Sequence, residues 1–267
     1  MNRDIIRILY KNSDIFRKNK VKLDNISIID QNGGGKEINI NFNNHNYKFE
    51  ESNINANHYI LYSKEDDNCV IVIISKKDNT AEIHGIGNYK TCLYVSNQNV
   101  GSILLKLTIK MLKKYKNKFN IKMIILADNS LKQCGKNNIK LSLMLTLITG
   151  DTWYGKYGFR PIDYQNDEYI IDKFNTELYE KNKKIINKLK ISDIDLLKFI
   201  KLTNNKGLIK ATNKILELNP DMLVKDYLRN MLSNYDKTCE NFIKFYEYLF
   251  NEIMMFDPCY WQYGLIL

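Results

Sequence analysis

Gly150-Asp151-Thr152-Trp153-Tyr154-Gly155-Lys156-Tyr157-Gly158-Phe159-Arg160-Pro161 is the stretch on which the reading of this chain turns. Gly150 breaks whatever precedes it, and Asp151 is a residue type suited to cap a new short helix. Trp153 and Tyr157, four apart, share one face of that helix. Tyr154 is rotated about 100° from Trp153, which sets it at the edge of that face. Gly158 supplies a left-handed stop, and Phe159 opens the next element. The segment reads as a short helix that holds one tyrosine beside its own buried stripe.

Outward from this stretch, Ile162 to Tyr164 and Tyr169 to Phe174 read as closing strands. Before it, Ile139 to Ile148 is apolar almost all round, which predicts a buried helix, and Asn129 to Gly135 reads as a loop. Ile121 to Ala127 is a continuous apolar run, as expected of a strand covered on both faces. Ile103 to Lys118 carries Leu104, Leu107, Met111, Leu112 and Tyr115 on one helical stripe. A strand end that opens directly into a helix is an anion site, because the first helical amides lack internal partners. The segment Ser96 to Ser102 has that setting.

The preceding residues alternate. Arg3 to Arg17 predicts an amphipathic helix and Ile26 to Ile29 a short strand. Gly33-Gly34-Gly35 is a break, not a phosphate loop, since no Gly-Lys-Ser or Gly-Lys-Thr follows it. Lys36 to Glu50 reads as a hairpin around Asn43-Asn44. Tyr59 to Tyr62, Cys69 to Ser75 and Thr80 to Tyr89 extend an antiparallel meander, continued by Thr91 to Val95 after a bulge around Gly85 and Gly87.

From Thr176 the pattern changes to helices. Leu178 to Leu189 is one, and Ser192-Asp193-Ile194-Asp195 opens a second through a capping box. Leu208 to Leu218 is a third, and Asn219-Pro220-Asp221 starts a fourth that runs to Leu232. Phe242 to Phe256 is the last. The tail from Tyr260 to Leu267 is too apolar to be free and is expected to dock.

A chain of 267 residues with 44% hydrophobic and 12% aromatic content holds one full domain and a smaller one. No 18-residue apolar run and no signal-type leader is evident, so the expectation is a soluble, intracellular and cytoplasmic protein without membrane partners. Cys69, Cys92, Cys134, Cys239 and Cys259 are odd in number and form no C-x-x-C pair, which suggests neither a disulfide framework nor zinc. His45, His58 and His84 are too dispersed to predict a metal. The net charge of +10 favours a polyanionic partner, either nucleic acid or a cofactor with several phosphates. The lysines form no single block, so most of them read as a solvated surface.

The order of these elements, with the Tyr154 motif, resembles the GNAT superfamily of acyl-CoA N-acyltransferases over roughly Met1 to Phe174. The resemblance implies an α+β fold with a mixed twisted sheet flanked by helices (residues 1–175), followed here by an all-α C-terminal domain (176–267). It also implies acetyl-CoA as the acyl donor and a small-molecule or peptide amine as acceptor. The family's pyrophosphate loop, Arg or Gln-x-x-Gly-x-Gly or Ala, aligns with Ser96-Asn97-Gln98-Asn99-Val100-Gly101. Gly101 matches, and Asn99 stands for the first glycine as the non-glycine type best able to take positive φ. Gln98, Asn99, Val100, Gly101 and Ser102 are thus expected at the phosphates, and the backbone of Leu93, Tyr94 and Val95 along the pantetheine arm. Asn129 and Ser130 are expected to contact the cofactor from the strand end, with a plain turn there as the alternative. By the same resemblance Tyr154 protonates the departing thiolate. Glu82, or His84 on the same strand face, is the candidate base. Two other classes stay open: a GNAT-like binding protein without turnover, and a basic nucleic-acid-binding protein.

Overall fold

The computed structural model describes residues 27–29, 37–42, 45–52, 57–62, 68–87, 92, 100–134, 136–201, 204–232, 243, 245–253 and 262–267. Their contacts divide into two compact units. The predicted first helix and the glycine triplet lie outside the described residues, as does most of the predicted strand from Thr91 to Val95.

One unit takes Lys20–Ala127, Ile162–Ile171 and Gln262–Leu267. Alternating apolar residues form β1 (Ser27–Ile29), β2 (Glu37–Phe42), β3 (His45–Glu51), β4 (His58–Tyr62), β5 (Asn68–Ser75) and β6 (Thr80–Ile86). They pair in turn as an antiparallel meander. In β2 and β3 the inward set Ile38, Ile40, Phe42, Tyr47 and Phe49 is buried, so the hydrophobic alternation sets the register. α1 (Val100–Phe119) packs its stripe of Leu104, Leu107, Met111 and Leu112 against β2, β5 and β6. β7 (Met123–Ala127) then pairs parallel to β6. β10 (Arg160–Gln165) and β11 (Glu168–Ile171) form the closing hairpin, and with β12 (Gln262–Ile266) the order across the sheet is β1-β2-β3-β4-β5-β6-β7-β12-β10-β11.

The strand between β7 and β10 comes from far along the chain. β12 (Gln262–Ile266) runs antiparallel to β7, from Gln262 opposite Ala127 to Ile266 opposite Met123. The apolar tail does dock, but as a strand, which corrects the expectation of an all-α segment from 176 onward. Gly264 is needed there, because a β-carbon would collide with Ile162 and Met123.

Among the described residues one disulfide, Cys69–Cys92, joins β5 to the segment ahead of α1. This corrects the reading of the cysteines as unpaired. The partners are 23 residues apart with no local motif, and only the fold brings their Cα atoms to 5.6 Å.

The described residues of the other unit fall within Asp128–Pro161 and Asp172–Trp261. A small hairpin, β8 (Leu131–Cys134) and β9 (Asn137–Lys140), replaces the predicted loop. α2 (Leu141–Thr149) ends on Gly150, whose φ of 78° is the left-handed stop expected there. α3 (Lys173–Ile186) is capped by Asp172, which accepts from the Asn175 amide, so Phe174 is helical and not in a strand. α4 (Leu196–Lys201), α5 (Lys206–Leu218, capped by Asn205) and α6 (Val224–Leu232) follow. Their core joins Leu147, Ile186, Ile191, Leu196, Ile200, Leu208, Tyr227 and Phe245. No described helix is long and apolar enough to cross a membrane.

Candidate functional site

In the sheet unit the feature that offers chemistry is the parallel pair β6/β7. Only Thr80, Ala81 and Glu82 of β6 pair with β7, opposite Met123, Ile124 and Ile125. Beyond Glu82 the two strands no longer pair, although β6 stays paired with β5 as far as Ile86. A register shift marks the departure: Val72 faces Ile83 while Ile71 faces Gly85, leaving His84 as the extra residue of a bulge. Bulges bend a strand and redirect its edge. The result is a parallel pair that opens toward its carboxyl ends, where backbone amides and carbonyls of Ile83 to Ile86 on the β7 side face no strand among the described residues.

Glu82 and His84 project from this strand with 42% and 60% side-chain exposure, and His84 Nδ1 lies 3.1 Å from Glu82 Oε1. The two candidate bases therefore form one exposed pair. Val100, Gly101 and Ser102 form the first turn of α1, which carries no acidic residue, so its amide end is electrostatically open to an anion. Leu93, Tyr94, Val95, Gln98 and Asn99 lie outside the described residues.

Tyr154, Asn129 and Ser130 belong to the other unit. The helix predicted around Tyr154 shrinks to a 3₁₀ turn, Gly155–Tyr157, closed by Gly158 at φ 93°. Asp151 does not cap it. Thr152 does the equivalent work, its Oγ1 accepting from the Gly155 amide at 2.9 Å, while Asp151 pairs with Lys183 at 2.7 Å. Trp153 and Tyr157 meet edge to face at 6.4 Å, but Tyr154 is not turned away from them. Its ring lies 4.8 Å from Trp153 and 6.0 Å from Phe159. Tyr154 is in fact the buried member, and Trp153 and Tyr157 are half-buried. Arg160 locks the turn to α3 by bonding the Gly155 and Phe159 carbonyls and pairing with Glu180 at 2.9 Å.

Asn129 is exposed, whereas its neighbour Asp128 is buried. Asp128 Oδ1 accepts from the amide and the hydroxyl of Ser130. Burial raises the Asp128 carboxyl above its ordinary 3.8, against the opposing pull of Ser130 and Lys140. Burial likewise raises the Tyr154 phenol well above 10, and the charge of Asp128 adds to it. The phenol thus keeps its proton through the neutral range and can act only as a donor there. Asp128 was missed in the sequence, where it is a lone acid after an apolar run. The one signal available was its place at the carboxyl end of a buried strand.

Among the described residues no cluster of His, Cys, Asp and Glu is arranged to hold a metal. Compared with known proteins, the chain matches no family model, no curated protein and no solved structure.

Proposed function

We propose that this chain is an acyl-CoA-dependent N-acyltransferase that moves an acetyl group from acetyl-CoA to an amine. The observation that carries the reading is the opening of β6 from β7 beyond the Glu82–Ile125 rung, with the bulge at His84. A strand edge that no described strand covers suits the amides of a pantetheine arm, which can pair with it as an added strand. The acid-free first turn of α1, from Val100 to Ser102, suits the phosphates that follow such an arm. These features fit the donor chemically and support the likeness seen in the sequence to the GNAT superfamily.

On this reading the strand edge holds the thioester carbonyl, and a backbone amide stabilises the oxyanion that forms. Glu82 or His84 takes a proton from the acceptor directly or through water, and by the likeness in sequence the proton for the leaving thiolate is assigned to Tyr154. The acceptor is a small-molecule or peptide amine.

The test is a thermal shift with acetyl-CoA, followed by turnover with a panel of amines. The parent protein is expected to be stabilised by acetyl-CoA and to release free thiol. Gly101→Glu, which puts a side chain and a negative charge in the first turn of α1, is expected to abolish the shift. Absence of any shift in the parent defeats the reading, and a shift without thiol release with any amine leaves a binding protein.

A further inference from the structure

Glu82 and His84 stand two apart on β6, on either side of the point where the ladder changes. Glu82 is held on both sides, opposite Ile73 of β5 and Ile125 of β7. His84 is the residue that the bulge leaves without a place in the β5 ladder, and its imidazole instead meets Glu82, Nδ1 to Oε1 at 3.1 Å. An ionised carboxylate can only accept a hydrogen bond, so Nδ1 carries the hydrogen. In the neutral ring the basic lone pair then belongs to Nε2, the nitrogen that Glu82 does not engage. The His84 side chain is 60% exposed, so Nε2 stays in reach of water and solutes. An exposed pair of this kind adds little to stability, which leaves its geometry unexplained by the needs of the fold. The pair lies on the same strand as the edge that no described strand covers.

We propose that Glu82 and His84 work as one dyad in the acyl transfer, with His84 Nε2 as the base and Glu82 as the positioning residue that fixes its tautomer. The inference rests on the acyltransferase reading above and joins its two alternative bases into one device. Histidine is the side-chain type whose proton exchange falls nearest neutrality, which suits it to this task. The step balances on one proton. A neutral amine forms the N–C bond with the thioester carbon and gives a proton to Nε2. The C–S bond breaks, its electron pair stays on sulfur, and the sulfur takes up one proton to become the free thiol. The imidazolium, still donating through Nδ1 to the Glu82 carboxylate, passes its proton to water, and the dyad is back in its starting form. Among the described residues Tyr169 of β11 is the titratable group that couples to Glu82 from another element. Burial, then the charges of Asp78 and Glu82, raises its phenol above 10, so it stays neutral where the dyad works.

The experiment uses the full chain and has one readout that needs no turnover. Ring ¹⁵N shifts of His84, assigned with His84→Gln, are expected to show hydrogen on Nδ1 in the parent. In Glu82→Ala they should relax to the tautomer mixture of free imidazole. A parent with hydrogen on Nε2, or a tautomer unmoved in Glu82→Ala, overturns the proposal. The second readout is the pH profile of kcat and kcat/KM with acetyl-CoA and an amine. His84→Ala is expected to keep the acetyl-CoA thermal shift, lose about 100-fold in kcat and regain rate when imidazole is added to the solution. Glu82→Gln removes the charge that favours the imidazolium, so it should lose less rate and move the acid limb to lower pH. A parent that turns over while His84→Ala matches it in rate, or a limb unmoved in Glu82→Gln, overturns the dyad and leaves the acyltransferase reading intact. A parent with no turnover overturns both. Should His84→Ala not fold, His84→Asn takes its place.

Discussion

The hydroxyl of Tyr179, on α3, occupies the space that a β-carbon on Gly155 would take, with the Asp151 carboxylate and the Thr152 hydroxyl closing the other sides. Gly155 is thus set by contact, in the middle of the turn that presents Tyr154. Gly155→Ala is expected to cost about 2 kcal/mol or more, the scale of overpacking a rigid site. Adding Tyr179→Phe removes one of the three colliding groups and should recover part of the loss. Urea unfolding of both single variants and the double variant measures this coupling, and strictly additive costs would show that the two residues do not compete for the same space.

The Cys69–Cys92 bond closes a 23-residue separation across the β5–β6 hairpin. Loop-closure entropy for that span amounts to about 3 kcal/mol. Cys92→Ala, or reduction of the parent, is expected to lower stability by roughly this amount. Peptide mapping without reductant should recover residues 69 and 92 in one cross-linked species. Equal unfolding midpoints with and without reductant would show that the bond does not hold the fold.

Tyr154→Phe keeps the ring between Trp153 and Phe159 and deletes only the proton. It should fold, keep its affinity for acetyl-CoA and lose about 100-fold in kcat. Trp153 is half-buried, so Trp153→Ala should instead lower stability by about 2 kcal/mol, less than a fully enclosed tryptophan would cost. Turnover compared at matched folded fraction separates the two, and an unchanged kcat in Tyr154→Phe removes this phenol from the chemistry.

Burial raises the phenols of Tyr59 and Tyr227 from 10 to about 12. A group whose folded pKa lies above its unfolded value keeps its proton longer in the folded state. Its contribution is complete below pH 10 and is lost as pH rises toward 12. Tyr227 also shares a hydrogen bond of 2.8 Å with Thr212. Tyr227→Phe should therefore cost about 1 kcal/mol at pH 8 and flatten the decline above pH 10. Urea midpoints of parent and variant from pH 8 to 11 test it, and parallel curves would refute the assignment to Tyr227.

Local pattern made much of this architecture legible. Strict alternation from Ile38 to Phe49 announced a hairpin, and the Leu104–Tyr115 stripe announced α1, since each element's own period decides which face is buried. The bulge near Gly85 was visible for the same reason, although the extra residue is His84. What escaped depends on contacts between distant residues. The angular argument at Tyr154 assumed a full α-helical turn, but a three-residue 3₁₀ turn is too short to sustain that geometry, and the phenol ends up inside. The pairing of Cys69 with Cys92 leaves no trace in neighbouring residues, and the burial of Asp128 leaves only its place at the end of an apolar run.

β12 gives the sheet a timetable. Met123 meets Ile266 across more than half of the chain, and every residue of β7 waits for a partner that the ribosome makes much later. During synthesis the β7 edge stands open, a strand edge of unusual apolarity with Ile124, Ile125 and Leu126 in sequence. Long-range pairing of this kind is slow to form. A nascent chain halted before residue 262 carries that open edge into the cell, where chaperone demand and aggregation, not catalysis, decide its fate.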